Sequence, residues 1–222
     1  MDSSGLLTVR SGVDLIHEIE IKRSRFIARI ARTDTPAAAR ALIDEVRATH
    51  PQARHNCSAF LIHEDGHSPH QHSSDDGEPA GTAGTPMLEA LRAAGTWNVT
   101  AVVTRYFGGV LLGAGGLVRA YSSAVSEGLA LAPRARLLPL DVWQADVPID
   151  SAGRIEAEMR SLGVEVLSVT WGQVVSLDIG VRNAQKSAAK ELLARLTQGG
   201  STFHEVGKKI IEVDEGGAQL YS

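Results

Sequence analysis

Val99-Thr100-Ala101-Val102-Val103-Thr104-Arg105-Tyr106 is followed by Phe107-Gly108-Gly109-Val110-Leu111-Leu112-Gly113-Ala114-Gly115-Gly116, and that by Leu117-Val118-Arg119-Ala120-Tyr121-Ser122-Ser123. The first segment is dominated by β-branched residues and predicts a strand. The second predicts a glycine-rich loop. In the third, Leu117, Tyr121, Ala124, Val125 and Gly128 share one face, which predicts a helix ended by Pro133. A strand that passes through glycines into a helix start has the geometry of an anion site. Glycines allow close approach, and the first free N–H groups of a helix carry partial positive charge. Arg105, Gly108, Gly109, Gly115, Gly116, Arg119 and Ser122 are therefore the candidate anion or RNA cradle. The same glycines also suit tight helix–sheet packing and positive-φ turns, so both readings stand. No Gly-Lys-Ser/Thr follows, and the spacing is not that of a dinucleotide-binding fingerprint.

Upstream, Val13–Lys22 and Phe26–Ala31 read as strands joined by Arg23-Ser24-Arg25. Pro36 opens a helix with Ala39, Leu42, Ile43 and Val46 on one face. Cys57–His63 is a short apolar strand. It leads into a long polar segment, Glu64–Thr85, after which Thr85-Pro86 starts a short helix. Within the polar segment Asp75, Asp76 and Glu78 crowd among turn formers and flank the candidate cradle. Three close carboxylates can hold a hard cation, serve as an acid/base pair, or pair with Arg105 or Arg119. They equally suit a solvated loop of Asx turns, with Thr82 or Thr85 capping the next helix. His63, His67, His70 and His72 offer no helical ligand pair and no matching cysteines, so no metal and no cofactor is expected. His55 and Asn56 stand at a strand entrance and are assigned to a pocket edge, while Cys57 reads as a small buried hydrophobe.

Downstream the rhythm changes. Leu138–Ile149 reads as a strand. Ser151 reads as the N-cap of a helix with Ile155, Met159 and Leu162, and Val164–Trp171 and Val174–Val181 as a hairpin around Gly172. A helix with Ala189, Leu192, Leu193 and Leu196 follows, stopped by Gly199-Gly200, and a last strand runs from about Ser201 to Ile211. The order βαββαβ is the ferredoxin-like split arrangement. The fold class is α+β in two domains, 1–137 and 138–222, with the boundary near Arg136–Pro139.

Composition narrows the function. Hydrophobic residues make up 43%, charged residues 22% and aromatics 5%, with a net charge of −4. Such a chain can bury a core, lacks broad base-stacking surfaces, and is no strong non-specific polyanion binder as a whole. Charge is uneven: up to Leu137 there are 14 basic and 14 acidic residues, and beyond it 8 and 12. Any nucleic-acid contact therefore belongs to the first domain, with no DNA specificity evident. One cysteine, no signal-peptide pattern and no bilayer-length apolar run lead us to expect a cytoplasmic location without membrane contact. The common hydrolase and redox motifs are missing.

Four blocks carry a resemblance. They are Lys22-Arg23-Ser24-Arg25-Phe26-Ile27-Ala28; His55-Asn56-Cys57-Ser58-Ala59; Ser74-Asp75-Asp76-Gly77-Glu78-Pro79 with Gly81-Thr82-Ala83-Gly84-Thr85-Pro86; and Thr104–Gly109 with Leu112–Ser122. In this order they resemble the YigZ/IMPACT family over roughly Val13–Pro133. The resemblance implies a first domain like the second domain of ribosomal protein S-five, and a second like the last domain of elongation factor G. It also implies a translation-associated regulatory protein, non-enzymatic, that binds RNA or a surface of the ribosome or a translation factor. Two alternatives remain: an enzyme or sensor of a phosphorylated small molecule at the Gly-rich loop, and a protein-interaction module. Oligomeric state is not legible in the sequence.

Overall fold

The computed structural model describes residues 5–64, 67–214, 216 and 220. Leu6–Arg136, with Asp214 and Gly216, form one compact unit; Gly5, Leu137–Val213 and Leu220 form the other.

The first unit begins with β1 (Leu6–Val9), then a hairpin of β2 (Asp14–Ile21) and β3 (Ser24–Arg32). Helix α1 (Pro36–Thr49) follows, its N-terminus capped by Thr35, whose hydroxyl accepts from the Ala38 amide at 3.1 Å. Next come β4 (His55–Ile62), β5 (His70–Ser74), α2 (Gly84–Ala93), β6 (Val99–Tyr106) and α3 (Ala114–Leu131). The strands form one antiparallel sheet in the order β2-β3-β6-β4-β5. Helices α2 and α3 cover one face, where Met87, Leu91, Leu117, Tyr121 and Val125 meet Phe26, Ile30, Cys57 and Val103. Helix α1 covers the other, with Ile43 and Val46 against Phe60, Ile62 and Val102. Covered on both sides, β4 and β6 bury nearly every residue, hence their continuous apolar runs.

Register decides what meets at the sheet's end. Arg105 stands opposite Phe26 on one side and His55 on the other, and Tyr106 stands opposite Arg25. The end of β6, the starts of β3 and β4, and the Gly-rich loop therefore lie together.

The second unit contains β7 (Arg134–Val147) from Leu137 onward, α4 (Ile149–Ser161), β8 (Glu165–Trp171), β9 (Val175–Val181), α5 (Lys186–Leu196) and β10 (His204–Val213). Strand β7 pairs with β9 and β10, and β8 flanks β9, giving the order β10-β7-β9-β8 expected of a ferredoxin-like βαββαβ unit. Trp143, Val147, Ile155, Met159, Leu177, Ile179 and Leu193 build its core. The mixed α and β, two-domain class read from sequence is the one observed.

Several local expectations need correction. Strand β1 is absent from the sequence reading. Strand β5 lies inside the segment read as polar loop, because its ladder with β4 needs no apolar side chains of its own. The turn between β2 and β3 is only Lys22-Arg23, with φ of 49° and 66°. Helix α4 starts one turn early, after Pro148, and the Ser151 hydroxyl donates to the Pro148 carbonyl at 3.2 Å instead of capping. Leu162 lies past its end and is 41% exposed. Neither Thr82 nor Thr85 caps α2; Asp75 does so from across the loop.

Candidate functional site

Asp75 is the hinge of the acidic loop. Its carboxylate accepts from the amides of Gly81 at 2.8 Å, Ala83 at 3.0 Å and Gly84 at 2.8 Å, so it occupies the positive end of α2. Burial alone would raise its pKa; the hydrogen bonds from Gly81, Gly84 and Ala83 outweigh this and hold it below the ordinary value. Asp76 accepts from the Asn56 amide at 2.7 Å and from Arg47 at 3.0 Å, and its carbonyl accepts from His55 Nδ1 at 2.9 Å. Asn56 Oδ1 in turn accepts from the Thr104 hydroxyl at 2.7 Å.

Glu78 goes deepest. Its Oε1 accepts from Arg105 Nη1 and from the Tyr121 hydroxyl, both at 2.7 Å, with the Glu78 side chain 3% exposed and that of Arg105 9%. The Arg105 guanidinium lies between two rings, its Cζ 5.5 Å from the Phe26 centroid and 5.6 Å from that of Phe107. Burial pushes the Cys57 thiol up to about 12 and also raises the Tyr121 phenol, so both stay protonated. Cys57 Sγ donates to the Asp75 carbonyl at 3.0 Å.

All three acidic residues are thus engaged in holding the loop. Arg105, assigned to a solvent-facing cradle, has one edge committed to Glu78. No group of three or more His, Cys, Asp or Glu side chains is arranged to hold a metal among the described residues. His70 pairs with Glu64 at 2.5 Å and His72 stacks on Phe60.

The candidate glycines divide by task. At Gly108 a Cβ would sit 2.0 Å from the Arg23 carbonyl carbon, so it serves close backbone approach; its amide donates to the Ser24 hydroxyl at 3.1 Å. At Gly116 a Cβ would press on Leu112 at 2.9 Å. Gly109 has φ of 85° in open space. Gly115 is exposed, near only Arg119 Nη1, 3.8 Å from where a Cβ would lie. Gly113 ends the loop without a side-chain cap, and Gly113, Ala114 and Gly115 are exposed, so the first amides of α3 are open to solvent. The Ser122 hydroxyl donates back to the Arg119 carbonyl at 3.1 Å.

Lys22 and Arg23 lie outside the residues assigned to the cradle from sequence. Like the assigned Arg119, they are exposed and form no ion pair among the described residues, whereas Arg25 is held by Glu18 at 2.6 and 2.8 Å. Between the loop and the start of β4 lies a cleft of about 460 Å³, lined by Gln52, Arg54, His55, Arg105, Tyr106, Phe107 and Leu111. Phe107 is 57% exposed and Leu111 81%. The available signal was two large apolar residues inside a glycine run, where no helix or strand could bury them.

Residues 22–129 match the family model described as the Impact N-terminal domain, and residues 150–199 match one described as a domain of unknown function (DUF1949). IMPACT family member YvyE of Bacillus subtilis is 39% identical over 189 residues, 85% of this chain and 86% of that one. The chain belongs to the IMPACT family. A solved structure described as a hypothetical protein matches this IMPACT-family chain with a TM-score of 0.60 at 36% identity, covering 91% of this chain and 97% of that one. Yih1, described as a two-domain translational regulator, is 29% identical, with 56% of this chain and 46% of that one covered and a TM-score of 0.35. No helix among the described residues of this family member is long and apolar enough to cross a membrane.

The Asp75 cap gives the IMPACT chain an acid dependence. Its folded pKa lies below the ordinary value of 3.8, so the carboxylate's contribution is complete above that value and is lost as pH falls through the folded pKa. Asp75→Asn sets an NH2 against a backbone amide where a carboxylate oxygen accepted, and is expected to cost about 1–3 kcal/mol at neutral pH. In thermal melts across pH, the gap between the native chain and the variant should close below about pH 4.

Proposed function

We propose that this chain is a translation-associated regulatory protein, non-enzymatic, that binds single-stranded RNA through the loop end of its first unit. The carrying observation is a set of three exposed cations, Lys22, Arg23 and Arg119, that form no ion pair among the described residues; the Arg23 backbone meets the Gly-rich loop at Gly108, and Arg119 Nη1 lies by Gly115 in the open first turn of α3. Phosphate oxygens are the natural partner of such a set. The whole chain carries −4, so the attraction is local. A turn built from Lys22 and Arg23 supports the reading. Both take the left-handed conformation that Asn-Gly fills at lower cost, and the pair places two cations at the tip. Translation is the setting that the family resemblance read from the sequence implies. A non-enzymatic role accords with a Cys57 thiol and a Tyr121 phenol held in their neutral forms and a Glu78 already ion-paired.

Fluorescence anisotropy of a labelled single-stranded oligoribonucleotide across salt tests this. Three phosphate contacts predict a slope of about −2 in log affinity against log salt. Replacing Lys22, Arg23 and Arg119 together by alanine should bring the slope near zero. A flat response of the native chain, or no binding at low salt, overturns the proposal.

A further inference from the structure

The cleft beside the loop is built for something more definite than a passing backbone. Arg105 is nine-tenths buried. Its Nη1 is taken by Glu78, but among the described residues its buried Nε has no partner and its Nη2 makes no hydrogen bond. The Nε atom is out of solvent's reach, so Nη2 is the nitrogen that an oxygen entering the cleft meets, as a charge-assisted donor. A buried guanidinium with unused donors is costly, and an acceptor brought against Arg105 would relieve part of that cost. Arg54, exposed and without an ion pair among the described residues, lines the same cleft. His55 lines it too. A carbonyl can only accept, so the Asp76 carbonyl fixes Nδ1 as a donor and leaves Nε2 without a partner. At the lip, the exposed ring of Phe107 and the methyls of Leu111 offer an apolar rest.

We propose that this cleft receives the terminal phosphomonoester of a nucleotide or RNA strand, with the attached base against Phe107. The RNA-end form of this proposal rests on the RNA reading above. A monoester presents about −1.5 to −2 charge and three free oxygens, whereas a diester within a strand presents one charge and two free oxygens. Two guanidinium groups around a single cleft match the former. Phe107 supplies the stacking face that every base accepts. A strand passing through would lie on the open surface near Lys22 and Arg119; an end group can enter the cleft.

The test compares one oligoribonucleotide sequence carrying a phosphate at its 5′ end, at its 3′ end, or at neither, with AMP and inorganic phosphate as competitors, on the full chain. At least one phosphorylated form should bind about tenfold tighter than the unphosphorylated strand, the gain of one charge-assisted contact. Arg54→Gln should abolish that preference and leave unphosphorylated binding nearly intact. Alanines at Lys22, Arg23 and Arg119 should weaken all strands and keep the ratio. Competition by AMP with a strand preference assigns the cleft to phosphorylated nucleosides generally, and a strand preference without AMP competition assigns it to RNA ends. If the unphosphorylated strand fails to bind while AMP binds and Arg54→Gln removes that binding, the RNA reading falls and the cleft stands. Equal affinity for all three strands together with no AMP binding overturns the proposal.

Discussion

Replacing Glu78 by alanine is expected to destabilise the first unit by about 3–5 kcal/mol. The change strips its partner from a guanidinium whose side chain is 9% exposed, and at the same time leaves the Tyr121 hydroxyl without its acceptor. The loss should appear as accelerated backbone-amide exchange in β3, β4 and β6, followed across urea. The cost is that of a stranded charge, so a second substitution that removes the charge should undo most of it. Glu78→Leu combined with Arg105→Met is expected to recover most of the stability, because apolar residues of similar volume replace buried pairs well. A single-variant loss under about 1 kcal/mol would mean that the pair behaves like a hydrated surface bridge.

Gly108→Ala is expected to cost about 3 kcal/mol, the upper end for overpacking. The added methyl would lie 2.0 Å from the Arg23 carbonyl carbon, 2.1 Å from its oxygen and 2.4 Å from the Ser24 nitrogen. All three are main-chain atoms that no rotamer change can move, so the β2–β3 turn has to part from the loop. Affinity for RNA should fall with stability, since Arg23 moves. Gly115→Ala is the control: a helical position with only the flexible Arg119 guanidinium nearby, where alanine should be tolerated and can add up to about 1 kcal/mol of helix preference. Thermal denaturation of the two variants side by side separates a packing glycine from a spare one.

These two residues also show where the sequence was readable. Strands such as β6 and helices such as α3 were legible because their apolar periodicity is local and long. The ferredoxin-like unit was legible because six such segments came in a recognisable order. What was not legible depends on partners distant in sequence. Nothing near Asp75 says that it will cap a helix nine residues on, and nothing near His70 says that a polar edge strand will borrow its order from β4. At the site, glycines and arginines drew attention, but their duties could not be divided. Gly108 and Gly116 serve packing and Arg105 shares itself with Glu78, whereas Lys22 and Arg54, not singled out from sequence, present free charge.

The sole cysteine has a practical consequence. Cys57 is fully buried on a central strand, its thiol held protonated. A maleimide or aromatic disulfide reagent reaches that sulfur only when the sheet itself opens. Labelling speed is therefore an intrinsic clock for fluctuations of the first unit, one that needs no engineered probe. With a bound ligand that prefers the closed form, the clock should slow in proportion to occupancy, so affinity can be read from the protein's own chemistry.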